Sequence, residues 1–191
     1  MVAEVRIYYE GDDALREGFR QFFSELHETI GQPVRPIAGK SKAIADFKRA
    51  LNSHPDAMNI LLIDSEGPDD GMLFKSRCQP LGIDPAQKKA IFWMVQCMES
   101  WFLADIERLS DFYRKNLRKA LHSNPKIEEI PKRDVLAKLN AATRDTQKGP
   151  YHKTKHAPHI LRLIRPANVK KAAPSCRRLF EMVPRLYVER S

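Results

Sequence analysis

The stretch Asn59-Ile-Leu-Leu-Ile-Asp-Ser-Glu-Gly-Pro-Asp-Asp70 limits the fold more than any other part of the chain. Ile60 to Ile63 is an unbroken apolar run that stops at Asp64 and Glu66, then at Gly67-Pro68-Asp69-Asp70. A short apolar run between turn residues is the pattern of a strand buried on both faces. In open parallel sheets, ligands bind at the carboxyl ends of such strands, so acids at that edge stand where chemistry occurs. Two carboxylates one residue apart can serve one hard cation, since Mg²⁺ is held by one or two carboxylates plus phosphate and water. The same residues also suit a plain turn, and Asp12, Asp13, Asp69 and Asp70 are read as turn formers.

The flanking segments repeat the pattern. Val5-Arg-Ile-Tyr-Tyr9 reads as a first strand closed by Glu10-Gly11-Asp12-Asp13. Leu15, Phe19, Phe22, Leu26 and Ile30 then recur at helical spacing, with Asp12 or Asp13 as N-cap and Gly31 as stop. Pro33 to Ile37 predicts a short strand whose prolines place it at a sheet edge. Gly39-Lys40-Ser41-Lys42 reads as a turn into a helix from Ala43 to Leu51, with Lys40 or Lys42 within reach of a phosphate. Gly67 to Gln87 is a long connection, anchored by Met72, Leu73, Phe74 and Leu81. Ala90 to Met98 predicts another buried strand, closed by Glu99, and a helix follows from Trp101 to Tyr113 with Asp105 in its early turns. Further helices are expected over 112–121, 132–142 and 158–164, and from about Ser175. This order predicts an α/β fold, a mainly parallel sheet flanked by helices, with a core over 1–110 and a basic helical part over 111–191 packed on it.

Charge divides along the same line. Residues 1–100 carry 12 Lys/Arg against 15 Asp/Glu, a net of −3, whereas residues 101–191 carry 21 against 9, a net of +12. An acidic centre beside a basic tract suits a polyanion such as nucleic acid, although basic helices are often only solvated. Between Arg144 and Arg178 ten Lys/Arg face one acid, Asp145. Lys153, Lys155, His156, Arg177 and Arg178 are the candidate phosphate contacts. His152 and His156 are four residues apart and could hold zinc, but no glutamate follows the first, and Pro150 lies close before the pair. Trp93 and Trp101 read as core. The three scattered cysteines, Cys78, Cys97 and Cys176, predict a reducing cytoplasm rather than a disulfide framework. No apolar run reaches membrane-spanning length, and Met1 leads into a strand rather than a signal peptide.

Glu10, the Asp64/Glu66 pair and Glu99 all follow strand-like runs, so a parallel sheet would bring them to one edge. Clustered acids repel unless a cation such as Mg²⁺ or Mn²⁺ sits among them. Glu10-Gly11 and Asp64-Ser-Glu66 resemble the Toprim pattern of topoisomerases, bacterial primases and overcoming-lysogenization-defect nucleases, with Glu66 where that pattern has Asp. Met94 to Asp105, Tyr151 to Ala157 and Pro174 to Phe180 together resemble the bacterial family filed as domain of unknown function 4276.

That resemblance implies a Toprim-like fold and a neighbouring ATPase in phage-defence operons. Carried over by position, it implies Glu10, Asp64 and Glu66 as catalytic and metal-holding residues, with Glu99 and Asp105 serving a second metal. Asp105 could equally cap or salt-bridge a helix. The expected activity is Mg²⁺- or Mn²⁺-dependent phosphodiester hydrolysis of DNA or RNA, by a monomer or a homo-oligomer working with an ATPase partner. The alternative is a non-catalytic nucleic-acid-binding or scaffold subunit of an ATPase complex.

Overall fold

In the computed structural model, which describes residues 2, 4–39, 42–121 and 125–190, the predicted apolar runs form strands. Among the described residues these are β1 (Val5–Tyr9), β2 (Val34–Ala38), β3 (Met58–Asp64) and β4 (Ile91–Met94), hydrogen-bonded in the order β2-β1-β3-β4. Each pairing is parallel, with Val5 opposite both Val34 and Met58, and Asp64 opposite Met94. All seven residues of β3 are buried, as its continuous apolar run requires for a strand covered on both faces. Pro36 lies in the edge strand β2, where a missing N–H donor is tolerated. The α/β class expected from the sequence is the one observed.

Side chains alternate across the sheet and build two apolar layers of unequal size. Val5, Ile7, Tyr9, Ile60, Leu62, Phe92 and Met94 face the larger one. It is completed by helices α1 (Arg16–Phe22), α2 (Ser24–Ile30), α4 (Ile106–Tyr113), α5 (Lys132–Thr143), α6 (Lys153–Leu163), α7 (Pro166–Ala172) and α8 (Pro174–Arg190). Tyr8, Leu61, Ile63, Ile91 and Trp93 face the smaller layer, with α3 (Ala43–Ser53) and part of the connection after β3.

Several expectations need correction. The helix from Leu15 to Ile30 is two helices joined at Phe23, which leaves helical geometry at φ −93°, ψ 11°. Phe19, Phe22 and Phe23, at i, i+3 and i+4, share one face across the break and are all buried. β4 stops at Met94, and Glu99 sits instead on a 3-10 segment, Met98–Ala104, beyond a reversal at Gln96 (φ 67°). No helix runs from Phe112 to Leu121. Arg114 adopts φ 51°, and the Lys115 N–H reaches back to the Ser110 carbonyl at 3.1 Å, the bond that closes a helix. Ser110 Oγ then accepts the Leu117 N–H at 3.1 Å and draws Leu117 into the core. Helix α6 starts five residues earlier than its apolar pattern, because His152 Nδ1 accepts the Lys155 N–H and caps it. Of the expected anchors after β3, Leu73 is buried, whereas Met72 and Leu81 are exposed. Lys40 and Ser41 lie outside the described residues. Among the described residues no helix is long and apolar enough to cross a membrane.

The basic helices are not loosely appended. Helix α6 lies against α1 where Gly18 leaves room, since a Cβ there would stand 3.0 Å from the Pro158 carbonyl oxygen and 3.1 Å from Leu161 Cβ. Gly18→Leu should therefore lower the unfolding free energy by about 1–3 kcal/mol, despite the better helix propensity of leucine. Denaturant titration of both proteins measures this, and an unchanged midpoint would mean that α6 does not dock there.

Candidate active site at the carboxyl edge of the sheet

β3 ends at Asp64, and its burial makes this carboxylate unusual. The side chain is 3% exposed, and Oδ1 accepts the Met98 N–H at 2.9 Å. Burial, reinforced by the nearby charges of Glu99 and Glu10, raises its pKa to about 7, against the opposing pull of Lys153 and Lys132. Glu99 stands beside it on the 3-10 segment, 1% exposed, and its Oε1 accepts the Tyr151 O–H at 3.1 Å. Lys153 Nζ lies 3.5 Å from the same oxygen, whereas Oε2 is buried with no hydrogen-bond partner. An unpaired buried carboxylate oxygen is costly. Glu10 follows β1, and its N–H donates to the Leu62 carbonyl at 3.0 Å, which brings it to the same edge.

The remaining predicted acids are engaged elsewhere. Glu66 has φ 62°, and both its carboxylate oxygens lie 2.6 Å from Lys132 Nζ at the start of α5. Asp105 is a helix-junction clamp rather than a neighbour of Asp64. Its two oxygens accept from Arg165 Nη2 at 2.6 Å and Nε at 2.9 Å, and Oδ2 also takes the Arg165 N–H at 2.9 Å. Burial pushes the Asp105 carboxyl up, but the Arg165 guanidinium outweighs it and holds the group below its usual range. Among the described residues, no three of His, Cys, Asp and Glu come close enough to hold a metal ion together.

The expected cation contacts also divide. Lys153, Lys155, Arg177 and Arg178 are exposed. His156 is not available to phosphate. It is buried, and its Nδ1 accepts the His152 N–H at 3.1 Å and the Tyr113 hydroxyl at 2.9 Å. Burial, together with the neighbouring His152, Lys148 and Lys155, lowers its pKa. These bonds, with His152 spent on capping α6, also set aside the zinc pair. One residue that positions the site, Gln96, was barely legible in the sequence. Gln96 donates its N–H to Ser65 Oγ at 2.8 Å and to the Gly67 carbonyl at 3.2 Å, and its side chain bonds Glu128 O and the Lys132 N–H. It ties the loop after Asp64 to α5 and so sets where Lys132 stands. A lone polar residue ending an apolar run was the only hint.

A cavity of about 530 Å³ beside α4 is lined by Ser110, Arg114, Arg118 and neighbours and includes none of Glu10, Asp64 or Glu99. Chemistry, not volume, therefore singles out the strand edge.

Because folding raises the Asp64 pKa from 3.8 to about 7, the native state holds a proton that the unfolded chain releases between those values. The contribution of Asp64 to stability is thus fully present below about pH 4 and is lost as pH rises to and through 7. Asp64→Asn keeps an acceptor for Met98 and should be more stable than the wild type by about 2–4 kcal/mol at pH 8 in EDTA. That gain should vanish toward pH 4. Chemical denaturation across this range checks it, and a gain independent of pH would contradict the burial argument.

Comparison with known proteins agrees with this architecture. The model of the family described as Domain of unknown function (DUF4276) matches residues 12–183. Among solved structures, the C-terminal region of the Burkholderia pseudomallei OLD protein is similar, with a TM-score of 0.55 and 14% sequence identity. The alignment covers 98% of this chain and 99% of that one, a likeness of fold. No curated protein matches.

Proposed function

For a chain that belongs to the DUF4276 family, we propose metal-dependent hydrolysis of nucleic-acid phosphodiesters at the Asp64–Glu99 edge. The observation that carries this is the buried Asp64–Glu99 pair, in which one carboxyl has a raised pKa and the other an oxygen without a partner. Both are what a hard divalent cation relieves, and two carboxylates plus substrate phosphate make an ordinary Mg²⁺ site. The likeness to an OLD protein region supports it at the level of fold.

Asp64 and Glu99 would hold Mg²⁺ or Mn²⁺, with Glu10 as a further ligand or as the general acid/base. Bound there, the ion would polarise the phosphate and ease formation of hydroxide. Tyr151 fixes the orientation of Glu99 through its hydroxyl. Lys153, half-exposed beside Glu99, can turn to the phosphate and offset charge developing on it. Glu66 joins the set only when Lys132 releases it. Lys155, Arg177 and Arg178 would follow the backbone of the substrate. In the cell, the activity fits an effector controlled by an ATPase partner in phage defence.

One observation favours a non-catalytic nucleic-acid-binding or scaffold role, namely that no three potential ligands converge among the described residues. Cleavage of single- and double-stranded DNA and RNA, with and without Mg²⁺, Mn²⁺ and the ATPase, separates the two. Asp64→Asn and Glu99→Gln should each reduce the rate by at least about 100-fold, and Mg²⁺ should raise the melting temperature of the wild type but not of Asp64→Asn. Inactivity of the folded wild type with its partner, and no thermal shift with metal, would leave the scaffold role standing.

Lys153→Glu combined with Lys155→Glu should weaken nucleic-acid binding for all sequences alike and flatten its salt dependence. Fluorescence anisotropy at several salt concentrations reads both effects. Unchanged affinity would return this part of the tract to a solvated surface.

A further inference from the structure

A second cavity, about 240 Å³, opens beside β4 between the loop after β3 and helix α8. Trp93, Phe74 and Ile91 form its apolar wall, and Lys88, Arg178 and Asp69 its polar one. It is smaller than the ~300–1,000 Å³ of sites for drug-sized ligands, and suits one planar ring system.

Its position relates it to the carboxylates. Trp93 pairs with Ile63, one step before the Asp64–Met94 pair, and both belong to the layer on the opposite face from Leu62. Trp93 therefore stands one residue back from Asp64, on the other face of the same strand end. The loop that leaves Asp64 reaches the cavity at Asp69 and Gly71. Gln96 pins that loop through Gly67, while Asp69 Oδ1 and Asp70 Oδ1 accept the Gly71 and Met72 N–H groups, each at 2.9 Å. The wall is thus braced by the elements that hold the acids.

Charge selects the occupant. Lys88 and Arg178 are exposed, and neither forms an ion pair among the described residues, in contrast to Lys132 and Arg165. The Arg178 guanidinium lies over the Phe92 ring, 5.4 Å from its centroid, with no acid against it among the described residues. Aromatic side chains flanked by cations that lack an acidic partner are how single-stranded nucleic acid is held, with stacking on the rings and phosphates on the cations. Asp69, repellent to phosphate, can accept from a base N–H. We propose that this cavity takes one unpaired nucleobase of the strand whose phosphate lies at Asp64 and Glu99, so that the preferred substrate is single-stranded or locally opened. The inference rests on the phosphodiester reading for the path of that strand. A base stacked within a duplex is closed to such a pocket unless it is flipped out.

The test uses the full chain in EDTA, so that nothing is cleaved, with hexanucleotides of single-stranded DNA and RNA and a blunt duplex hairpin. Trp101 is fully buried in the larger layer, whereas Trp93, itself only 8% exposed, lines the cavity and is the tryptophan placed to report its occupancy. Both single strands should quench its fluorescence, or one alone if the sugar also matters. Phe74→Ala and Trp93→Leu should weaken single-strand binding by about 5- to 100-fold, with little effect on the hairpin, and Trp93→Phe should restore most of it. Lys88→Glu with Arg178→Glu, both at exposed positions, should weaken binding and flatten its salt dependence. Oligonucleotide bound without quenching, no single-strand binding, or equal losses for single strand and hairpin would overturn the pocket. Quenching in a protein that cleaves nothing with Mg²⁺ or Mn²⁺ would keep the pocket and remove the nuclease. Cleavage with unquenched Trp93 would do the reverse.

Discussion

Two carboxylates, Asp64 and Glu99, are buried side by side at the end of the central strand, and the rest of the molecule is arranged to tolerate them. A buried charge is costly unless it is hydrogen-bonded, paired or neutralised. Here the partners are the Met98 N–H, the Tyr151 hydroxyl and the Lys153 ammonium, together with a raised affinity of Asp64 for a proton. None of these partners lies in the sheet. Met98 follows the reversal at Gln96, and the other two flank the start of α6. The edge therefore has its electrostatic character only when the C-terminal helices are packed in place.

The charge asymmetry of the chain gains a structural meaning from this. Part of the basic half neutralises acids of the other half or of its own junctions. Lys132 holds Glu66, Lys153 faces Glu99, Lys170 pairs with Glu25, and Arg165 clamps Asp105 and Glu107. Exposed pairs of this kind contribute little stability, but the Arg165–Asp105 contact involves a buried carboxylate and joins α4 to the segment before α7. Lys88, Lys155, Arg177 and Arg178 are exposed with no acidic partner among the described residues, and these carry the case for a polyanion.

Backbone geometry at the edge is also particular. Glu66 and Gln96 have positive φ, a conformation that is uncommon outside glycine and that collects at functional sites. The turns they make let one loop serve the Asp64 edge and the cavity by Trp93. Strand β4, like β1 and β3, sends alternate side chains into both apolar layers.

The apolar runs and their acidic ends were legible in the amino-acid sequence, because burial on two faces leaves no polar residue inside a strand. So were the edge position of β2, from its proline, and the stops at Gly31 and Tyr113. The Phe112–Leu121 helix was misread because periodicity does not register a single residue in left-handed geometry. His156 was misread because a histidine in a basic run looks the same whether its ring faces solvent or Tyr113. By itself the sequence determined the sheet, the place of Asp64 on it and the surplus of cations, all of which follow from local pattern and composition. Only the tertiary structure decided which acids stay free of a cation's grip and which are clamped, since that choice rests on contacts between residues such as Glu66 and Lys132, or Asp105 and Arg165, some sixty positions apart.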